Sequence, residues 1–206
     1  MKKVILMQGD SITEGLRKHE NPEDLGQWYV KRVAGALELA HPGAFTFINR
    51  GVSGNRIVDL YARIKSNIIN LKPDIMTLMI GTNDVWAEYS RQNGVSPEKY
   101  ERFYELILDE VEAALPNIKI ILMGSYYQDG VQEYNDSFLP EVKERAEIVR
   151  QIAARRGYPY IATQPLFDEA EKRGVKQLTF DGVHPDIAGC ELLKNALVEA
   201  IEEVVK

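Results

Sequence analysis

One serine and one histidine of this chain stand in sequence contexts that suit acyl transfer. Ser11 follows an apolar run at residues 4–7, a pattern that predicts a buried parallel strand ending in a turn. A serine hydroxyl is a weak nucleophile until a base removes its proton, and His184 is the candidate base. Asp181, close before the histidine, is the candidate carboxylate that would fix the imidazole tautomer and stabilise its charged form.

Acyl transfer also needs hydrogen-bond donors aimed at the oxygen of the tetrahedral intermediate. Asn83 could supply its side-chain amide, and the backbone N–H groups of Gly54 and Ser11 could complete an oxyanion hole. A glycine at position 54 would also let the backbone come close to a substrate. Four further side chains are candidates for contact with substrate: Asp10, Trp86, Tyr126 and Tyr127.

Each of these residues also has a purely structural interpretation. Ser11 could be a helix N-cap, because serine and aspartate are favoured at helix starts. Asp181 precedes a glycine and could be a turn residue, while Asn83 could belong to another cap or turn. The structural interpretation explains poorly why all of these residues would arrive at one place in the fold.

The elements that must position these residues alternate between strands and helices. Strands are predicted at residues 4–9, 45–49, 75–80, 118–123 and 158–162, and helices at about 25–40, 57–71, 96–115, 142–156 and 193–204. This alternation predicts an α/β fold with a parallel sheet covered by helices on both sides, in a single domain over residues 1–206. The loops after parallel strands lie at one edge of the sheet. The stretches at 9–11, 51–55 and 81–84 should therefore meet there, and the start of the last helix, near residues 181–185, can reach the same edge.

Composition restricts the class of protein. The chain of 206 residues is 45% hydrophobic, and its net charge of −6 argues against a surface that binds nucleic acid. Cys190 is the single cysteine, which excludes an intramolecular disulfide and any site with several cysteine ligands. The apolar start is too short for a signal peptide, and no stretch approaches the roughly 18 apolar residues that span a membrane. The sequence therefore predicts a cytoplasmic protein with no membrane partner.

Other function classes fit the sequence less well. The polar stretches could supply ligands to a two-metal phosphoesterase, but such sites usually use several histidines, and His19 and His41 lie in a predicted loop and at a helix end. The phosphate-loop and dinucleotide glycine patterns are absent, as is the nucleophile elbow of the α/β-hydrolases. No metal ion or cofactor is therefore expected. A carbohydrate-binding module without turnover remains the non-enzymatic alternative.

Taken together, the polar stretches resemble the four blocks of the SGNH (GDSL) hydrolase superfamily, in the family's order. The blocks are Gly-Asp-Ser-Ile-Thr at 9–13, the glycine at 54, Gly-Thr-Asn-Asp at 81–84 and Asp-Gly-Val-His-Pro at 181–185. The resemblance implies a flavodoxin-like three-layer α/β/α sandwich with a five-stranded parallel sheet of order 2-1-3-4-5. It also implies that Ser11 is the nucleophile, His184 the base and Asp181 its acid, with Ser11, Gly54 and Asn83 as the oxyanion hole.

Residues 51–55, 72–74 and 80–86 are similar to the intracellular acetylxylan esterases of this superfamily, which remove acetyl groups from xylo-oligosaccharides. This similarity implies a serine esterase for small acyl groups, above all acetyl, on a small carbohydrate ester, and it raises the expectation of a homo-oligomer. Trp86 would suit stacking on a sugar or the wall of an acetyl-sized pocket. Short-chain lipid esterase, thioesterase and lysophospholipase remain alternatives on the same fold. The charged loop at 17–25 is assigned no role.

Overall fold

Five parallel strands form one sheet in the order β2-β1-β3-β4-β5 in a computed structural model, which describes residues 2–131 and 136–206. The strands are β1 (Lys3–Gly9), β2 (Phe45–Asn49), β3 (Ile75–Met79), β4 (Lys119–Met123) and β5 (Tyr160–Ile161). The predicted fold class, sheet order and parallel pairing are confirmed. Because the strands are parallel, their carboxyl ends share one edge of the sheet.

Nine α-helices connect or flank these strands in the described part of the chain. They are α1 (Ser11–Glu14), α2 (Tyr29–Ala40), α3 (Ile57–Ala62), α4 (Ile64–Asn67), α5 (Thr82–Arg91), α6 (Pro97–Ala114), α7 (Phe138–Arg156), α8 (Thr163–Lys172) and α9 (Ile187–Val205), with a 3₁₀ turn at Ile69–Leu71. Over the ranges described, none of the helices has the length and apolar character needed to cross a bilayer.

Two hydrophobic clusters cover the two faces of the sheet. Successive residues of a strand point to opposite faces, so Ile5 and Met7 of β1 belong to one cluster and Leu6 to the other. Helices α2, α8 and α9 cover the first face, and helices α3, α6 and α7 cover the second. The sheet is thus held from both sides, which gives its carboxyl edge a rigid base for a site.

Gly9 brings the end of β1 directly against the end of β3. It pairs with Met79, and a Cβ at this position would lie 2.3 Å from the Met79 carbonyl oxygen and 2.4 Å from the Thr13 hydroxyl oxygen. Those separations are far shorter than any real contact of a Cβ atom, so only glycine fits. Ser11 therefore lies at the sheet edge, immediately beyond the end of the buried strand.

Several predicted boundaries were wrong. The helix predicted from residue 25 begins at Tyr29, and the helix predicted over 57–71 is divided at Arg63, whose guanidinium donates to the carbonyls of Gly9 and Arg50. Strand β5 has only the two residues Tyr160 and Ile161, although the Pro159 carbonyl before it also accepts a hydrogen bond from the Leu122 N–H of β4. Helices α5 and α8 were not predicted, and α1 was foreseen only in the alternative that makes Ser11 an N-cap, although the cap is Asp10. The stretch between the strand predicted at 118–123 and the helix predicted at 142–156 includes residues 132–135, which lie outside the described residues.

Candidate active site

The predicted catalytic and oxyanion residues meet at one cavity at the carboxyl edge of the sheet. The cavity has a volume of about 340 Å³. Its described lining comes from α1, the loop after β2, α5 and the segment before α9, and comprises Ser11, Ser53, Gly54, Thr82, Asn83, Trp86, Asp181, Val183 and His184. The structure therefore brings together all five residues that the sequence singled out for acyl transfer.

The serine, histidine and aspartate form a continuous hydrogen-bonded chain. The Ser11 Oγ lies 2.8 Å from Nε2 of His184, and Nδ1 of His184 lies 2.6 Å from Oδ2 of Asp181. A carboxylate can only accept hydrogen bonds, so Nδ1 carries the hydrogen and Nε2 is left to accept from the serine hydroxyl. This is the tautomer in which the imidazole can act as a base towards Ser11.

Asp181 is held as a charged carboxylate. Partial burial alone would raise its pKa, but the backbone N–H and imidazole of His184 and the backbone N–H of Val183 donate to it, and its pKa is lowered overall. The backbone donors reach Oδ1 at 2.8 Å and 3.0 Å. The oxygen that faces the imidazole therefore stays an acceptor at neutral pH.

The three residues of the candidate oxyanion hole, Ser11, Gly54 and Asn83, all line the cavity. Ser11 itself is the first residue of α1, where backbone N–H groups have no partner within the helix. Gly54 has a φ of +75°, a conformation that favours glycine. Nδ2 of Asn83 donates one hydrogen bond to the Asn55 carbonyl at 3.2 Å, which orients the amide and leaves its second hydrogen for the cavity.

Two buried carboxyl groups stabilise the segments that carry the site. Asp10 caps α1 by accepting from the Ile12 N–H at 3.0 Å, and burial raises its pKa to about 6 despite that bond. Asp84 accepts from the Ile57 N–H with both oxygens, and burial raises its pKa well above the usual value. They fix the starts of α1 and α3, which border the loop of the candidate nucleophile and the loop of Gly54.

Of the four side chains predicted to contact substrate, Trp86 is among the described residues that line the cavity and the other three are not. Asp10 is buried as a helix cap. Tyr126 is buried and stacks on Phe167 with 4.1 Å between ring centroids. Tyr127 is buried beneath Gly182. These placements give the tyrosines and Asp10 supporting positions rather than a surface that faces the cavity.

Comparison with known proteins identifies the family of this chain. The model of the GDSL-like lipase/acylhydrolase family matches residues 8–192. The chain belongs to this family. An acetylxylan esterase from Geobacillus stearothermophilus is 33% identical over 208 residues, which cover 96% of this chain and 93% of the relative. This GDSL hydrolase is accordingly an enzyme that hydrolyses carboxylic esters.

Solved structures of GDSL-type proteins also match this chain over nearly its whole length. The acetylxylan esterase Axe2 from Geobacillus stearothermophilus superposes with a TM-score of 0.86 at 31% identity, over 97% of this chain and 94% of that chain. A GDSL-like lipase candidate from Parabacteroides merdae gives a TM-score of 0.92 at 30% identity, over 98% and 97% of the two chains. Three further Axe2 structures are of catalytic mutants, in which a serine, an aspartate and a histidine are replaced by alanine.

The segment that carries Asp181 and His184 in the GDSL hydrolase is held by a buried glutamine that sequence reasoning missed. Oε1 of Gln128 accepts from the N–H and hydroxyl of Thr179 at 2.9 and 2.8 Å. The backbone N–H of Gln128 donates to the Gly182 carbonyl at 2.8 Å. A single glutamine in a polar connection gives no sequence signal, since its partners are about 50 residues away.

Two aromatic rings flank the imidazole of the GDSL hydrolase outside the cavity. The Phe180 ring is nearly parallel to that of His184, with an interplanar angle of 14° and 5.6 Å between centroids. The Trp28 ring lies 5.5 Å from His184 and 5.8 Å from Phe180. Phe180 is 54% exposed, which is unusual for a phenylalanine and leaves an apolar surface beside the candidate base. Sequence reasoning placed Trp28 in a helix and gave Phe180 no role.

Proposed function

We propose that this GDSL hydrolase is a serine esterase that removes small acyl groups, acetyl above all, from hydroxyl groups of a carbohydrate. The observation that carries the proposal is the chain of contacts from Ser11 through His184 to Asp181, at 2.8 Å and 2.6 Å, beside a small cavity. The alanine mutants of Axe2 described as catalytic involve the same three residue types, which supports these roles.

In the first half of the reaction, Ser11 Oγ transfers its proton to Nε2 of His184 and attacks the acyl carbon. Asp181 stabilises the imidazolium that results. The carbonyl oxygen becomes negatively charged and accepts hydrogen bonds from the candidate donors of Ser11, Gly54 and Asn83. The imidazolium then gives its proton to the leaving alcohol oxygen, the carbon–oxygen bond breaks, and the acyl group remains on the serine.

In the second half, the same residues release the acyl group to water. Nε2 of His184 removes a proton from water, and the hydroxyl attacks the acyl carbon to form a second tetrahedral intermediate. Collapse of this intermediate returns the proton to Ser11 Oγ and releases the carboxylic acid. A protonated imidazole cannot accept a proton in either half, so activity should fall as the solution becomes acidic.

The size of the cavity favours a short acyl group. Its volume of about 340 Å³ lies near the lower end of small-molecule sites, and part of it must hold the reacting centre itself. Trp86 and Val183 form its apolar wall. The guanidinium of Arg91 covers the Trp86 ring at 5.8 Å from the centroid, which helps to fix the ring in place. We therefore expect a methyl group to pack against this wall and a long acyl chain to extend out of the cavity.

The surroundings of His184 favour a sugar as the alcohol. The leaving oxygen must lie near Nε2 of His184 to receive its proton, so the alcohol extends past the imidazole. Phe180 offers a half-exposed ring there, braced by Trp28. The C–H groups on one face of a pyranose are apolar and pack against such a ring, while the sugar hydroxyls stay in water.

The direct test is the Ser11→Ala protein, assayed on p-nitrophenyl acetate and on acetylated xylo-oligosaccharides. We expect kcat to fall by at least about 10⁴-fold, because the nucleophile is lost. Ser66→Ala, which removes an exposed hydroxyl on α4, is the matched control and should leave the rate unchanged. Hydrolysis by Ser11→Ala at the parent rate would overturn the proposal.

A substrate series separates the proposed function from the alternatives on this fold. Acetyl, butyryl and octanoyl esters of p-nitrophenol should show falling kcat/KM with chain length, and acetylated xylo-oligosaccharides should be turned over. A preference for octanoyl esters would favour a lipid esterase or lysophospholipase, and a preference for acyl thioesters would favour a thioesterase.

Assembly of the chain with copies of itself and a cytoplasmic location stay predictions.

A further inference from the structure

Glu14 joins the helix of the candidate nucleophile to the loop of Gly54. This residue ends α1, which Ser11 begins, and its side chain is nearly buried. Its carboxylate accepts from Ser53 twice: the Ser53 hydroxyl donates to Oε2 at 2.5 Å and the Ser53 N–H donates to Oε1 at 3.2 Å. One carboxylate thus holds both the backbone and the side chain of the residue that precedes Gly54.

The charged loop at 17–25, which had no assigned role, supports this carboxylate from its other side. Nε2 of His19 lies 2.6 Å from Oε1 of Glu14, and because a carboxylate only accepts, Nε2 carries the hydrogen. Arg17 donates to Nδ1 of the same imidazole at 3.4 Å and through Nε to the Gly51 carbonyl at 3.3 Å. The loop therefore closes a network around Glu14 that ends on the segment containing Ser53.

Glu14 is kept charged by these partners. Burial would raise its pKa, but the hydrogen bonds from the Ser53 hydroxyl, from His19 and from the Ser53 N–H lower it overall. An ionised carboxylate is acceptor-only and has no hydrogen to donate back. Every neighbour must then present a hydrogen to it, which fixes the orientation of Ser53 more strictly than a neutral partner would.

The orientation of Ser53 matters because it sets the direction of the Gly54 N–H. That N–H belongs to the peptide unit between the two residues, and glycine itself restricts its backbone least of all residue types. Gly54 has no side chain that could hold this peptide in place. The Ser53 contacts to Glu14 restrain the residue that contributes the carbonyl half of this peptide, and both Ser53 and Gly54 line the cavity.

We propose that Glu14 is a positioning residue of the oxyanion hole, which acts through Ser53 to hold the Gly54 N–H towards the Ser11 hydroxyl. The proposal rests on the proposed function, in which Gly54 is an oxyanion donor. The oxyanion exists only in the transition state and the tetrahedral intermediates. Loss of the restraint should therefore lower kcat and leave KM for a small ester nearly unchanged.

The first experiment is the Glu14→Gln protein assayed on p-nitrophenyl acetate. Glutamine keeps the shape of the side chain, but one of its oxygens is replaced by an NH₂ group that cannot accept from Ser53 or His19. We expect kcat to fall roughly 10- to 100-fold, less than for removal of a donor, with KM within about twofold of the parent. Glu38→Gln is the matched control: Glu38 accepts from the Gly43 N–H in a loop remote from the cavity, and its change should leave both constants unchanged.

A second variant keeps the test valid if Glu14→Gln folds poorly. Ser53→Ala removes only the hydrogen bond from the Ser53 hydroxyl to Glu14, so it should lower kcat by a smaller factor than Glu14→Gln. The double variant should be no slower than Glu14→Gln, because both changes break the same connection between Glu14 and Ser53. Thermal unfolding of each protein measures folding separately. Unchanged kcat in Glu14→Gln, additive effects in the double variant, or a rise in KM alone would overturn the positioning role. If the proposed function itself fails, Ser11→Ala stays active whatever Glu14 does.

Discussion

At the scale of single residues, the amide of Asn83 is the candidate donor that can be removed without changing the backbone. It reaches the cavity from α5, and its bond to the Asn55 carbonyl fixes its orientation. Asn83→Ala should lower kcat by about 10²–10³-fold with little change in KM, because the lost bond strengthens only as the oxyanion forms. Asn117→Ala, in the exposed turn before β4, should have no effect. Full turnover by Asn83→Ala would exclude this side chain from the oxyanion hole.

A second prediction at this scale concerns Asp10, whose buried carboxyl group lowers the stability of the folded protein when it is charged. Burial raises its pKa from 3.8 to about 6, so the folded state binds the proton more tightly than the unfolded chain. Stability is then lost as the pH rises from about 4 to about 6, by about 3 kcal/mol in total. Asp10→Asn keeps a capping oxygen and removes the charge. Its free energy of unfolding relative to the parent should therefore increase by about 1 kcal/mol between pH 5 and pH 8.

Urea unfolding at the two pH values measures this difference. The matched change is Asp186→Asn at the more exposed cap of α9, which tests whether the burial of Asp10 is the cause. An equal increase in both variants would mean that the burial of Asp10 is not the cause.

At the scale of elements, the segment before α9 depends on close packing beneath Gly182. This glycine has a φ of +89°, and a Cβ there would lie 2.5 Å from the ring of Tyr127. Gly182→Ala must displace either the ring or the segment with Asp181 and His184. A shift of about 1 Å in catalytic groups can cost roughly 100-fold, so kcat/KM should fall by about one to two orders of magnitude.

The control for this prediction separates backbone strain from the steric contact. Gly174 also has a positive φ, +93°, but a Cβ there would meet open space. Gly174→Ala should destabilise the protein by about 1 kcal/mol and leave kcat/KM unchanged. If both variants lose activity equally, strain alone explains the effect and the packing on Tyr127 is not involved.

At the scale of the whole molecule, we propose that the chain folds as a single domain around its central sheet. Leu197 of α9 and Leu108 of α6 are fully buried on opposite faces of that sheet. Leu197→Ala and Leu108→Ala should each cost about 2–5 kcal/mol of unfolding free energy. With the sheet between them, their costs should add within about 0.5 kcal/mol.

Denaturant unfolding followed by both circular dichroism and tryptophan fluorescence tests the single domain. One coincident transition is expected in the parent and in both variants. Separate transitions, each shifted by only one of the two substitutions, would show that the faces unfold as independent units.

The sequence by itself determined the α/β fold class and the residues that meet at the sheet edge, whereas the sheet order was implied by the resemblance to the SGNH (GDSL) hydrolases. An apolar run that ends in a glycine and polar residues is a local pattern, and it can be recognised in the sequence. Because the loops that follow parallel strands all lie at one edge of the sheet, residues in several such loops come together in space. For the same reason Ser11, Gly54, Asn83, Asp181 and His184 could be named before any coordinates, although they span most of the chain.

Only the tertiary structure decided which side chains support that site. Periodicity indicates which face of an element is buried but not what packs on it, so Tyr126 was a candidate for contact with substrate and is instead buried against Phe167. The contacts of Glu14 with Ser53 and of Gln128 with Thr179 join residues 39 and 51 positions apart. Such pairs arise from the packing of loops on a folded sheet, and no local pattern in the chain encodes them.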